Sequence, residues 1–245
     1  MATLVQSLQY LLSQKELQYG STLLNETKRV VLKEYLQAYT LDFLYNHPEY
    51  RKLNFYGGTC LRVFHGLPRF SEDMDFSLTE KNVEFNIENY FPAVIEEFKA
   101  SGREVLITKK EKKVQTKVES AFLNDNTEMY DLSFKTEKEI KIKIEVDTDP
   151  PLGFLTEQKL SLMPFSFMTR CFTLSDLYAG KMHALIFRNY KSRVKGRDWY
   201  DFEWYVRHDI PLNFPHFQIR AKEFNGLDID NEEFIKMLKE KMLIN

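Results

Sequence analysis

The segment Ile140-Lys141-Ile142-Lys143-Ile144-Glu145-Val146-Asp147 constrains this chain more than any other. Apolar and charged residues alternate without a break, and successive side chains of an extended strand point to opposite faces. Ile140, Ile142, Ile144 and Val146 therefore cover a core, while Lys141, Lys143, Glu145 and Asp147 face away from it. The pattern predicts one half-buried sheet strand. Taken alone, its charged face is explained by contact with water.

A second segment gives that face a chemical use. Asp73-Met74-Asp75-Phe76-Ser77-Leu78 also alternates, so Met74 and Phe76 enter the core and two carboxylates stand together opposite them. Like charges that close invite a shared proton or a divalent cation. Hard oxygen ligands suit Mg²⁺, which takes a few carboxylates plus substrate phosphates. A solvated Asp-x-Asp on an edge strand explains the pair by itself. If the two strands are neighbours, however, Glu145 or Asp147 completes a three-carboxylate site with Asp73 and Asp75. Two-metal phosphoryl transfer requires such a cluster: one ion activates the attacking hydroxyl, the other holds the triphosphate. The third carboxylate could also accept the hydroxyl's proton.

Just upstream, the apolar run Leu53–Tyr56 meets Gly57-Gly58-Thr59. Two glycines let a backbone approach a bulky anion, and a following helix start offers free N–H groups to phosphate. Thr59 is expected to cap a short helix, Cys60–His65, which Leu67-Pro68 ends. Ser71 can donate a hydrogen bond within the turn before Asp73.

A long helix is expected from Thr22 to Asn46, and another from Asn86 to Ala100. Strands are expected over Glu104–Lys109, Val114–Phe122 and Met129–Phe134, with a turn at Asn124-Asp125-Asn126. Asp149-Pro150-Pro151 is expected to end the sheet region. Helices follow over Leu174–Asn189, Arg197–Arg207, Phe214–Phe224 and Asn231–Met242. The expected organisation is an N-terminal helix plus core over 1–150, then a helical part over 151–245. The order of elements points to an α+β, or mixed α/β, fold.

Bulk properties narrow the function classes. A net charge of −2 confines any nucleic-acid contact to a local basic patch. Candidates are Lys109–Lys113 with Lys117, and the stretch Arg188, Lys191, Arg193, Lys195, Arg197 with Tyr190, Trp199 and Tyr200 beside it. A solvated hairpin and core aromatics explain both equally well. Cys60 and Cys171 lack disulfide-framework and metal-ligand spacing, and His65 and His183 show no ligand pattern. No run approaches the ~20 apolar residues of a membrane span, and the N-terminal residues lack a signal-peptide pattern. A cytoplasmic protein with no membrane contact is expected.

Gly-Gly, a short helix, Asp-x-Asp on a strand and a later carboxylate together resemble the DNA polymerase beta-like nucleotidyltransferases. Fourteen residues separate Gly58 from Asp73, slightly more than the commonest spacing. Within that superfamily, GGTCLRVFHGLPRFSEDMDFSL is similar to the AbiEii/AbiGii toxin family, which joins a Gly-Gly-Thr-x-Leu-Arg block to Arg-x-Ser-x-Asp-x-Asp-Phe. Gly180-Lys181-Met182-His183-Ala184-Leu185 with Arg188, then Lys195-Gly196-Arg197-Asp198-Trp199-Tyr200-Asp201-Phe202, resembles the family's downstream motif. The resemblance spans roughly residues 50–205.

The resemblance implies a polymerase beta-like core with a C-terminal helical half. It implies transfer of NMP from an NTP to an acceptor, with RNA or tRNA plausible, and a toxin–antitoxin setting with a cognate antitoxin. Asp73, Asp75 and Glu145 would hold Mg²⁺ or Mn²⁺, and Glu145 or Asp147 would support the attacking hydroxyl. Gly57, Gly58 and Thr59 would hold phosphate, while Lys181 steadies the triphosphate. Arg62 and Arg69 would brace the acidic loop or touch phosphate, and Arg188 would contact phosphate or RNA. Asp198 and Asp201 would orient Lys181, although capping and an Arg197–Asp201 pair account for them too. The rivals are a small-molecule, antibiotic-type nucleotidyltransferase and a non-catalytic binding member of the fold.

Overall fold

The computed structural model describes residues 4–48, 52–82, 84–100, 105–109, 127–134, 140–164, 166–188 and 196–244. Two helices open the chain, α1 (Leu4–Tyr19) and α2 (Asn25–Asn46). Strand β1 (Leu53–Tyr56) runs into helix α3 (Gly57–His65), and β2 (Asp73–Leu78) follows. A 3₁₀ turn (Ile87–Tyr90) leads into α4 (Phe91–Ala100). Then come β3 (Val105–Lys109), β4 (Thr127–Phe134), β5 (Ile140–Asp147), β6 (Thr156–Ser161) and β7 (Phe167–Phe172). Four helices finish the chain: α5 (Leu174–Phe187), α6 (Gly196–Arg207), α7 (Phe214–Asn225) and α8 (Asn231–Ile244).

The seven strands form one mixed sheet in the order β3-β4-β5-β2-β1-β7-β6. The expected α+β class is what the chain adopts. β5 runs parallel to β2, and β7 parallel to β1, while the other neighbours are antiparallel. On β5, Ile142, Ile144 and Val146 are buried, as the alternation requires. They join Met74 and Phe76 of β2 and Leu53 and Phe55 of β1 in the main core. α2 adds Leu36, Leu41 and Leu44 to it. The Phe55 and Phe76 rings lie 5.2 Å apart between centroids. Tyr45 of α2 reaches the sheet, its hydroxyl donating to the Leu53 carbonyl at 2.8 Å.

Three expectations need correction. The sheet does not end at Asp149-Pro150-Pro151, because β6 and β7 return as an antiparallel pair and β7 joins β1. β6 is an edge strand of sequence TEQKLS, so only Ser161 is buried and no apolar alternation announces it. Thr59 does not cap α3: the helix already starts at Gly57, and the Thr59 hydroxyl instead donates to the Asp73 carbonyl. α1 was not foreseen, and the long helix starts at Asn25 rather than Thr22. The expected Val114–Phe122 strand, the Asn124–Asn126 turn, Lys110–Lys113 with Lys117, and Tyr190, Lys191, Arg193 and Lys195 lie outside the described residues.

The helical part is fastened to the sheet by polar contacts as well as by packing. Asp176 at the start of α5 accepts from the Leu155 N–H at 3.1 Å, from the Thr173 hydroxyl and from Asn213 Nδ2 at 2.6 Å. Asn213 in turn caps α7, accepting from the His216 N–H at 3.2 Å. At the surface, Lys81 bridges Asp149 (3.1 Å) and Glu223 of α7 (2.7 Å).

Candidate active site

Register decides which carboxylates meet. In the parallel β2–β5 pair, Asp73 stands opposite Lys143, Asp75 opposite Glu145, and Ser77 opposite Asp147. Glu145 is thus the immediate neighbour of Asp75, and Asp147 lies two residues further along the same face. On the other side of β2, Tyr56 of β1 stands opposite Asp75. Asp147 is buried and accepts from the Asp149 N–H at 3.1 Å.

Burial, Glu145 and Asp73 together push the Asp75 carboxyl up to about 8, with Lys143 and Lys181 offsetting part of the effect. The face carries more negative charge than its surroundings neutralise. Among the described residues, Lys143 is the ammonium that pairs with this face directly, through Glu145. Burial opposes the charged form of Lys143, but Glu145, Asp73 and Asp75 outweigh it and raise its pKa. Among the described residues, no group of three or more His, Cys, Asp or Glu is gathered tightly enough to hold a metal ion as it stands. The donor set nevertheless fits one chemically. Carboxylate oxygens with surplus charge, one already drawn to a cation, are what Mg²⁺ or Mn²⁺ requires.

The Gly-Gly turn meets this face directly. Gly57 opens α3 at φ +80°, a left-handed conformation, and a Cβ there would collide with the Asp75 carboxylate. At Gly58 a Cβ would stand 2.9 Å from Ser71 Oγ and 3.1 Å from Arg69 Nη2. The N-terminus of α3, with its unsatisfied N–H groups, therefore opens beside the carboxylates and the Arg69–Ser71 loop. Gln37, fully buried on α2, holds that loop by donating to the carbonyls of Ser71 (3.3 Å) and Glu72 (3.0 Å). Arg62 is committed elsewhere: it pairs with Glu34 at 2.7 Å and donates to the Leu67 carbonyl at 2.9 Å.

A cationic cluster sits on two buried carboxylates of α6. Asp201 receives a two-pronged pair from Arg69 (2.5 and 2.6 Å) and also Lys181 of α5 at 2.8 Å. Asp198 receives Lys181 at 3.0 Å and Arg188 at 3.3 Å. Two carboxylates thus gather three cations from two separated stretches of chain. The Asp198/Asp201 spacing orients Lys181, and Asp201 is held by Arg69 and Lys181 rather than by Arg197. Lys181 is close enough to Asp75 for its charge to lower that carboxyl. Arg69, Lys181, Asp198, Asp201, Gly57, Gly58, Ser71, Asp73, Asp75 and Glu145 are therefore brought together. Arg62 is turned to a bracing role, and Thr59 supports the Asp73 backbone from inside α3.

The profile of the family described as "Nucleotidyl transferase AbiEii toxin, Type IV TA system" matches residues 42–242. The chain belongs to this AbiEii family. It is accordingly a nucleotidyltransferase of a toxin–antitoxin family. A comparison with curated proteins finds no match. Two solved structures from Helicobacter pylori are similar at 18% identity and a TM-score of 0.48 each. JHP933 aligns over 89% of this chain and 82% of its own, and a provisionally assigned nucleotidyltransferase over 91% and 85%. The AbiEii match runs from within α2 to α8 and takes in both the carboxylate face and the cationic cluster.

Three residues of this AbiEii chain escaped sequence reasoning. Gln37 lies inside a helical pattern and nothing marks it as a loop clamp. Lys143 reads as one more charge on a wet strand face until the register sets it beside Asp73. Arg220, on α7, belongs to no motif. No helix among the described residues is long and apolar enough to cross a membrane.

Proposed function

We propose that this AbiEii chain transfers NMP from an NTP to a hydroxyl of an RNA acceptor, with tRNA as the leading substrate class. The observation that carries the reading is the register that sets Glu145 beside Asp75, one strand from the glycine turn and within reach of the Lys181 charge. The acceptor hydroxyl oxygen attacks the α-phosphorus, the bond from that phosphorus to the bridging oxygen breaks, and pyrophosphate leaves. Asp73, Asp75 and Glu145 would hold the divalent ion, which when bound supplies positive charge to the phosphates and lowers the pKa of the attacking hydroxyl.

The chain's own groups do the rest. Lys181, steadied by Asp198 and Asp201, presents its ammonium to the triphosphate at a fixed position, where preorganised charge is worth most. Arg69, clamped on Asp201, keeps the Ser71 loop against Gly58 so that the α3 N–H groups stay open to phosphate oxygens. Glu145 accepts the hydroxyl proton on a carboxylate oxygen once its partner Lys143 swings toward Asp73. Asp147, further along the face and held by the Asp149 N–H, supports the strand rather than the reacting hydroxyl. Helices α5 to α8 would close over the nucleotide. The family setting supplies a cognate antitoxin as the expected regulatory partner.

The test is an acceptor screen. Each α-labelled NTP in turn is incubated with protein, Mg²⁺, and either total bacterial RNA or a panel of hydroxylated small molecules including aminoglycosides. Label in a tRNA-sized band is the expected result. Label confined to the small molecules would replace the RNA acceptor with an antibiotic-type one.

A further inference from the structure

Helix α7 carries a cation that neither the carboxylate face nor the cationic cluster explains. Asn213 and Asp176 fix the start of α7 against the β7–α5 junction, and His216 lies in its first turn. Arg220 follows one turn later on the same face. Its guanidinium packs over the Phe224 ring at 5.1 Å. Among the described residues its buried Nε has no hydrogen-bond partner and the side chain makes no ion pair. A buried guanidinium N–H left unpaired is costly, and such an orphan calls for a ligand oxygen.

Its surroundings say which kind. The carboxylate that acts on it most is Asp147, on the sheet face that carries Asp75, where Tyr56, kept neutral by burial, also stands. Arg188, just past the end of α5, is close enough to repel Arg220, and the charges of both act on His183. Arg188 is itself paired with Asp198 at 3.3 Å, and with Arg220 it gives this wall positive charge of the kind that draws an anion. Burial, joined by Arg188, lowers the Arg220 pKa without approaching neutrality for a guanidinium. Lys181 is steadied by two carboxylates, and Arg69 is clamped on one of them. Arg220 keeps its buried Nε–H without a hydrogen-bond partner among the described residues.

We propose that Arg220, seconded by Arg188, binds a polyphosphate oxygen of the nucleotide from the α7 side of the sheet face, opposite Lys181. The assignment rests on the nucleotidyl-transfer reading of that face. It makes α7 a direct participant in nucleotide binding, and it gives the helical part a charge-based reason to close on a loaded site.

The experiment is calorimetric titration of wild type, Arg220→Lys and Arg220→Met with inorganic tripolyphosphate and with each NTP in the presence of Mg²⁺. RNA affinity and thermal melting are measured alongside. Arg220→Met should bind tripolyphosphate and the preferred NTP roughly tenfold more weakly or worse, as loss of a charge-assisted contact implies. Arg220→Lys, which keeps the charge but not the fork, should fall between. RNA affinity should be unchanged in both. If Arg220→Met does not fold, the lysine variant alone decides. Equal tripolyphosphate and NTP affinity in wild type and a folded variant overturns the Arg220 assignment and leaves the transfer reading standing. A loss confined to RNA affinity also overturns it and moves Arg220 to the acceptor backbone. Wild type that binds neither tripolyphosphate nor any NTP overturns both.

Discussion

On β2 and β5 three carboxylates have one paired ammonium among the described residues, whereas on α6 two buried carboxylates hold three cations from the α5 segment and the β2 approach. The second arrangement is satisfied as it stands. The first is not: Asp75 is pushed up to about 8 by burial, Glu145 and Asp73. A charge cluster in balance stabilises the fold, while one out of balance costs stability and is repaid only by something that binds. The two regions should therefore respond in opposite ways to removal of a carboxylate.

The largest effect is expected at Asp75. Asp75→Asn should lower nucleotidyl transfer on the order of 10³-fold, yet it should leave the melting temperature unchanged or higher, since it relieves repulsion. A lower melting temperature would show that Asp75 is a structural group like Asp201. Asp201→Ala is the counterpart. It strands Arg69 and Lys181 beside an apolar wall and should cost about 3 kcal/mol in urea unfolding. A loss below about 0.5 kcal/mol would break the contrast. Gly57→Ala sits between the two regions. Its left-handed φ and the collision with Asp75 should cost about 2 kcal/mol and misplace the carboxylate. Unfolding and transfer measurements on one preparation check both effects.

How much of this contrast could be read in advance follows from the range of the interactions involved. The bounds of β2 and β5 were legible because both strands alternate strictly, one face apolar and one charged. The pairing of Glu145 with Asp75 was legible only as a condition, since a parallel register between strands about seventy residues apart leaves no local mark. β6 was missed because an exposed edge strand need not alternate, and β7 because its partner β1 lies over a hundred residues upstream. The role of Asp201 stood level with a local pair to Arg197 until the fold brought Arg69 to it. Gln37 and Arg220 act across elements, and single side chains in ordinary helical text carry no signal of that.

Smaller effects sharpen the picture. Burial, aided by Arg220, holds His183 down to about 3, below its ordinary 6.5, and so buries it neutral. A depressed pKa gives stability that is fully present above pH 6.5 and is lost as pH falls from there toward about 3. His183→Gln should flatten that part of the stability–pH curve, and chemical unfolding at several pH values reads it directly. Curves of equal slope for variant and wild type would show that His183 protonates without penalty. The exposed Lys81 bridges to Asp149 and Glu223 mark the lower limit. Lys81→Ala should change unfolding free energy by no more than about 0.5 kcal/mol, and a larger change would mean this clasp governs how α7 docks.

The most direct test of the central claim compares where label goes from α- and γ-labelled NTP. Wild-type protein, Mg²⁺ and RNA are incubated with each label beside Asp73→Ala and Asp75→Asn. Label from the α position entering RNA with wild type alone, while γ label leaves as pyrophosphate, is the predicted result. Transfer of γ label to the acceptor, or α transfer that survives both substitutions, would contradict the assignment of this carboxylate face to nucleotidyl transfer.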